Sequence, residues 1–156
     1  MLELRRDDGY ELSSDRDRID LARVHRWLST DAYWAMDRPL ERMRAALDGS
    51  EPFGVYRGGE QVAVARVVTD GTVFAYLCDV YVDRAHRGNG LGGWLVESLC
   101  DHLGARGLSR FLLVTRDAQP LYARHGFTDV QPGRWMECDL SHRQRPEDGP
   151  GLTVQP

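Results

Sequence analysis

The sequence predicts a single α/β domain built on a mixed sheet with helices on both faces, and three observations carry that prediction. Residues 53–82, FGVYRGGEQVAVARVVTDGTVFAYLCDVYV, form a Val-, Phe- and Tyr-rich run cut twice by glycine turns. After a glycine-rich loop, Leu91, Leu95, Leu99 and Leu103 recur at helical spacing and lead into a short apolar stretch. A hairpin-linked sheet that feeds one crossover helix and returns as a strand makes its last pairing parallel. At 156 residues with 42% hydrophobic content, the chain suits one domain with a substantial core better than two.

Each element follows from local pattern. GYELSS (9–14) alternates as a short strand, and SSDRD then supplies helix-start chemistry for an apolar run through Ile19, Ala22, Trp27 and Leu28. STDAYWAMDRP breaks that period; Pro39 opens a second helix with Leu40, Met43 and Leu47 on one face, and DGSEP ends it. The β-rich run divides at the GG pair (58–59) and at TDG (69–71) into strands of about 53–57, 61–68 and 73–82. The leucine-periodic helix ends near GARG, followed by a buried strand RFLLVT (110–115) and a short helix from Asp117 to His125. Two closing strands are expected near 127–131 and 134–139. The order is β-α-α-β-β-β-α-β-α-β-β over a domain of residues 1–140. The polar, Pro- and Gly-rich stretch SHRQRPEDGPGLTVQP (141–156) has no periodicity and is expected to be a flexible tail.

Composition excludes several classes. A formal net charge of −4 argues against a broad nucleic-acid footprint, which needs a basic face. All the basic residues are arginine and none is lysine. Cys78, Cys100 and Cys138 are far apart, lie among apolar neighbours and read as small buried hydrophobes. No His or carboxylate pair has metal spacing, so no metal is expected. The N-terminal MLELRRDDGYEL lacks the apolar core of a leader, and no apolar run approaches the roughly 18 residues of a membrane span. These features predict a cytoplasmic protein with no membrane partner.

The loop HRGNGLGG (86–93) is the most informative segment. Gly88, Gly90 and Gly93 satisfy the dinucleotide pattern G-x-G-x-x-G, but that mechanism needs a strand running directly into the first glycine. Here DRAHR separates Val82 from Gly88, and no repeated βαβ series follows. The P-loop pattern fails for want of a lysine. Read instead as R-x-x-G-x-G through Arg87, Gly90 and Gly92, the loop resembles the acetyl-CoA pyrophosphate loop of the GCN5-related N-acetyltransferase (GNAT) family. The whole stretch VYVDRAHRGNGLGGWLVESL (80–99) is similar to that family's signature segment. A second segment, TRDAQPLYARHGF (115–127), resembles the downstream motif at Ala118, Leu121, Tyr122, Gly126 and Phe127. Thr115 departs from the pattern, since many members place Asn there.

The resemblance implies a fold, a cofactor and a set of roles. It implies a central strand that carries a bulge and splays from its parallel neighbour, between the fourth and fifth strands of the order above. Main-chain groups of Val80, Tyr81 and Val82 would then face the pantetheine arm and thioester of acetyl-CoA. Arg87, Gly88, Asn89, Gly90, Leu91, Gly92 and Gly93 would hold the diphosphate, with Thr115 nearby. Tyr122 matches the position that protonates the departing thiolate in many members. Tyr33 and Trp34 lie where the resemblance places an acceptor-site wall, although two such aromatics also suit a hydrophobic plug.

Asp79 interrupts an otherwise apolar strand. Either it pairs with Arg66 on the adjacent strand or it faces the acceptor cleft as a general base or substrate anchor. The expected function is acetyl transfer from acetyl-CoA to a primary amine of a small molecule or protein, by direct attack in a ternary complex. The competing class is a non-catalytic acyl-CoA-binding domain. The acidic balance favours a cationic small amine over tRNA, and homodimers are common in the family. A Gly90→Val change is expected to raise KM for acetyl-CoA before it disturbs the fold.

Overall fold

The structure, a computed structural model, describes residues 1–138 and 140. Among these residues six strands form one sheet in sequence order: β1 (Glu3–Arg5), β2 (Tyr10–Ser13), β3 (Glu51–Arg57), β4 (Glu60–Thr69), β5 (Phe74–Val82) and β6 (Arg110–Leu112). The first five pair antiparallel and the last pair, β5 with β6, is parallel. Helices α1 (Leu21–Asp31) and α2 (Leu40–Asp48) separate β2 from β3; α3 (Leu91–Ala105) makes the crossover and α4 (Gln119–Ala123) follows β6.

Two cores lie on opposite faces of the sheet. Val24, Trp27 and Leu28 of α1 and Met43 and Leu47 of α2 bury against Val64 and Tyr81. On the other face, Leu91, Leu95, Leu99 and Leu103 of α3 pack onto Phe53, Val55, Ala65, Val67 and Leu77. The leucine spacing thus puts one stripe of α3 fully into the sheet. The local chemistry is equally direct. The Asp20 carboxylate caps α1 by accepting from the Arg23 N–H, and Gly58 and Gly59, both at positive φ, close the tight β3–β4 hairpin.

Three features differ from the sequence expectation. Strand β1 is additional; its three residues are all exposed and charged or solvated, so no alternation announces it. Residues 127–138 form no strand, although two were expected there. Every residue from Thr128 to Cys138 is exposed, and Pro132 and Gly133 (φ 80°) turn the chain, so no face is buried that could fix a register. The remainder of that expectation, with the tail 141–156, lies outside the described residues. Finally, β6 is limited to Arg110–Leu112 instead of running to 115.

That short β6 opens the sheet. Parallel pairing is confined to Phe74–Tyr76 against Arg110–Leu112, so among the described residues β5 beyond Tyr76 has no strand on that side. On its other side β5 carries a bulge against β4: Arg66 pairs with Cys78 and Val64 with Tyr81, placing two residues of β5 opposite Ala65. The inserted residue is Asp79, at φ 50°, a left-handed conformation that Asp tolerates better than most side chains. Strict alternation from Leu77 would aim Asp79 into the α3 core. The insertion turns it to the α1–α2 face while Val80 and Val82 still pack toward α3.

Candidate active site

The splay and the bulge open into one cleft of about 700 Å³. Its walls come from the α1–α2 connection (Tyr33, Trp34, Arg38), the β5 edge (Tyr76 to Val82), Arg87 and Gly92 beside α3, and the segment from Leu113 to Tyr122. Ten of the residues singled out from sequence meet there: Tyr33, Trp34, Asp79, Val80, Tyr81, Val82, Arg87, Gly92, Thr115 and Tyr122. Gly88, Asn89, Gly90, Leu91 and Gly93 do not line it; they form its rim at the start of α3.

At that rim no backbone N–H from Gly88 to Gly93 finds an acceptor among the described residues, and the first intrahelical bond is Trp94 N–H to the Gly90 carbonyl. Gly88 (φ 81°) and Gly90 (φ 72°) hold the left-handed turns that point successive amides outward, and Gly90 is the N-cap of α3. Such a run of unpaired amides at a helix N-terminus fits the diphosphate of a coenzyme A thioester. Gly92 and Gly93 have a different task. A Cβ there would lie 3.7 Å from Leu121 Cδ2 and 3.3 Å from His125 Nε2, so they let the α4 region approach α3. The loop is also tethered from outside: Arg6 donates to the Asn89 carbonyl (3.1 Å), and the Asn89 side-chain amide donates to the His86 carbonyl (3.0 Å). Leu91 is buried, so only its backbone can serve a ligand.

Arg87 is anchored by its own neighbours. Its Nε donates to the Val82 carbonyl (2.9 Å) and its Nη2 to Asp31 (3.1 Å), which also accepts from Arg84 and from the Tyr81 hydroxyl (2.7 Å). Arg84 first, then Tyr81, hold the Asp31 carboxyl far below the usual carboxylate range. Burial, reinforced by Asp31, pushes the Tyr81 phenol up to about 12. The Val82 carbonyl is therefore occupied, leaving Val80 and Tyr81 as the better main-chain candidates. Sequence reading missed Asp31, because a carboxylate at the end of an amphipathic helix carries no signal of its partners.

Asp79 is 3% exposed at its side chain and fully engaged. One oxygen accepts from Trp34 Nε1 (3.1 Å), and the other from Arg66 Nε (2.7 Å) and Arg38 Nη1 (2.9 Å). Burial pushes its carboxyl up, but the charges and hydrogen bonds of Arg66 and Arg38 outweigh that and hold it below the ordinary range. A low, saturated carboxylate is poorly suited to take a proton. Arg66 interrupts an apolar strand just as Asp79 does, and that coincidence signals their pairing. Arg38 has no such signal, because it belongs to an irregular connection.

Tyr122 is 9% exposed, packs edge-on against Phe127 at 5.7 Å, and its hydroxyl has no partner among the described residues. Burial raises its pKa, so the phenol stays protonated at neutral pH. Thr115 Oγ1 accepts from the Ala118 N–H (3.1 Å), a local turn contact that occupies the side chain. Tyr33 and Trp34 stack edge-to-face at 4.9 Å, and Arg116 lies 3.7 Å from the Tyr33 ring centroid while donating its N–H to the Tyr33 hydroxyl (3.2 Å). That contact joins the two walls of the cleft.

Fold and cleft together define an α/β ligand-binding protein whose site lies at a gap in a mixed sheet, beside a helix start. The chain belongs to the acetyltransferase (GNAT) family, whose model matches residues 21–127. A protein of Gibberella zeae named as an acetyltransferase is 32% identical over 136 residues, covering 74% of this chain and 77% of that protein. A crystal structure from Xanthomonas campestris pv. campestris, described as a GNAT-family acetyltransferase, shares 44% identity at a TM-score of 0.79, covering 83% of this chain and 92% of its own. A Clostridium acetobutylicum acetyltransferase crystallised with acetyl-CoA shows likeness of fold, with 19% identity and a TM-score of 0.61 over 84% of this chain and 95% of its own. No helix among the described residues is long and apolar enough to cross a membrane.

Proposed function

We propose that the protein transfers the acetyl group of acetyl-CoA to a primary amine by direct attack within a ternary complex. The observation that carries this reading is the run of unpaired amides from Gly88 to Gly93 at the start of α3, opening onto the cleft along the β5 edge. Those amides and the α3 dipole would bind the diphosphate, and the backbone of Val80 and Tyr81 would orient the pantetheine arm and thioester. The cosubstrate supplies an activated acetyl group. As the amine nitrogen bonds to the acyl carbon, the carbon–sulfur bond breaks, and the Tyr122 hydroxyl would give the leaving thiolate its proton.

Asp79 serves in this reading as a positioning residue that fixes the bulge, and the amine loses its proton to solvent. Burial raises the Cys78 thiol, and among the described residues no histidine accompanies it in the cleft, which favours direct attack over an acyl-cysteine route. Tyr33 and Trp34 form the acceptor wall.

The test is release of free coenzyme A thiol from acetyl-CoA across a panel of primary amines. Thiol release that depends on an amine is expected. Binding of acetyl-CoA without release for any amine would favour a non-catalytic acyl-CoA-binding domain.

Gly90→Val bears on the same site and alters the expectation from sequence. At φ 72° a β-branched residue is strained by about 1–3 kcal/mol, so the variant should lose thermal stability along with cofactor affinity. The expected result is a KM for acetyl-CoA raised about tenfold and a lowered Tm, with Gly90→Ala showing smaller shifts of both. An unchanged KM would remove the loop from the cofactor site.

A further inference from the structure

The acceptor end of the cleft holds two arginines whose hydrogen-bond donors are only partly used. Arg38 and Arg66 share a single carboxylate, Asp79, and neither has another acidic partner among the described residues. Both Asp79 oxygens are already committed, one to Trp34 and one to the two arginines. The arginines, by contrast, retain donors. Arg66 Nη1 goes to the Ala46 carbonyl (3.1 Å) and Arg38 Nη1 also touches Met43 Sδ (3.7 Å), but Arg38 Nε and Nη2 and Arg66 Nη2 have no acceptor among the described residues. None of these nitrogens is sealed from solvent, and both residues line the cleft. Arg66 is 10% and Arg38 23% exposed at the side chain.

A largely buried guanidinium whose unspent donors open onto a cleft is matched by an anionic oxygen group, above all one that can be gripped by two N–H groups at once. We infer that the amine acceptor also carries a carboxylate or phosphate, bound by Arg38 and Arg66 at the Asp79 bulge. The inference rests on the acetyl-transfer reading and narrows its substrate class to small anionic amines. A polyamine would bring further positive charge against two arginines that one aspartate already fails to balance.

The experiment is thiol release from acetyl-CoA with matched acceptors: free α-amino acids and O-phosphoethanolamine against amino-acid amides and diamines of similar length. Anionic acceptors should exceed their neutral or cationic counterparts by about tenfold or more in kcat/KM, the gain of one charge-assisted contact. The amino-acid and phosphate arms identify which anion is read. Arg38→Gln should cut that preference to less than about threefold, and Arg38→Lys, which keeps charge but loses the fork, should fall between. Neutral or cationic amines preferred over anionic ones, or a preference untouched by Arg38→Gln, would overturn the inference.

Should no amine release thiol, the acetyl-transfer reading fails and the anion site is still read separately. Calorimetric titration of the coenzyme A-loaded protein with N-acetylglycine and N-acetylglycinamide, and with O-phosphoethanolamine against ethanolamine, then decides it. Binding of the anionic member of either pair, weakened in Arg38→Gln, supports the site; equal binding or none from both pairs overturns it.

Discussion

Replacing Tyr122 by phenylalanine is expected to lower kcat about 100-fold while leaving KM for acetyl-CoA within about twofold, because a positioned proton donor acts mainly in the transition state. The ring that packs against Phe127 survives the change, so stability should fall by no more than about 1 kcal/mol. The pH profile supplies a second check. Burial raises the phenol above its usual value, so the wild-type enzyme should lose turnover only in strongly alkaline solution, and that limb should vanish in the variant. Wild-type turnover by Tyr122→Phe would end the assignment of a proton to this hydroxyl.

Asp79→Asn should cost stability more than any surface change. It leaves Arg66 and Arg38 without their shared counter-charge, and removal of one member of a buried ion pair costs about 3 kcal/mol. For a chain of this size that corresponds to a Tm lowered by about 6–12 °C. The sign with pH follows from the depressed carboxyl. The folded-state pKa lies below the unfolded value, so the stabilisation is complete above the ordinary carboxylate range and is lost as pH falls through the folded value. Thermal melts should therefore separate wild type from Asp79→Asn widely at neutral pH and converge in acid. Activity should fall as the bulge relaxes, with the acidic limb of the kcat profile keeping its position. Loss of that limb would return Asp79 to the role of general base.

Much of the fold was legible because burial is periodic. The α3 leucines, the glycine turns at 58–59 and 69–71, and the run of valines in β4 and β5 each commit the backbone locally. What escaped were elements whose partners are distant or whose faces are solvated. Strand β1 buries nothing, and residues 127–138 carry scattered apolar side chains with no surface to receive them: Met136 is 97% exposed.

The site divides the same way. The loop glycines were found together, but only their backbone angles and neighbours separate Gly88 and Gly90, which shape the amide run, from Gly92 and Gly93, which admit the α4 region. Net charge pointed toward a cationic acceptor because it averages the whole chain. The cleft has its own balance, four arginines (Arg38, Arg66, Arg87 and Arg116) against Asp79 and Asp117, which the sequence scatters and the fold gathers.

The bulge has a consequence for insertions and deletions. In β5, Leu77 faces α3, Val80 and Val82 face α3, and Tyr81 faces α1. With Asp79 deleted, the remaining residues would still alternate correctly, so every other side chain would keep its side of the sheet. The distortion of β5 is thus a single added residue within an otherwise regular strand. A chain lacking it, with Arg38 and Arg66 replaced by apolar residues of similar size, should build the same sheet around a closed, inactive gap.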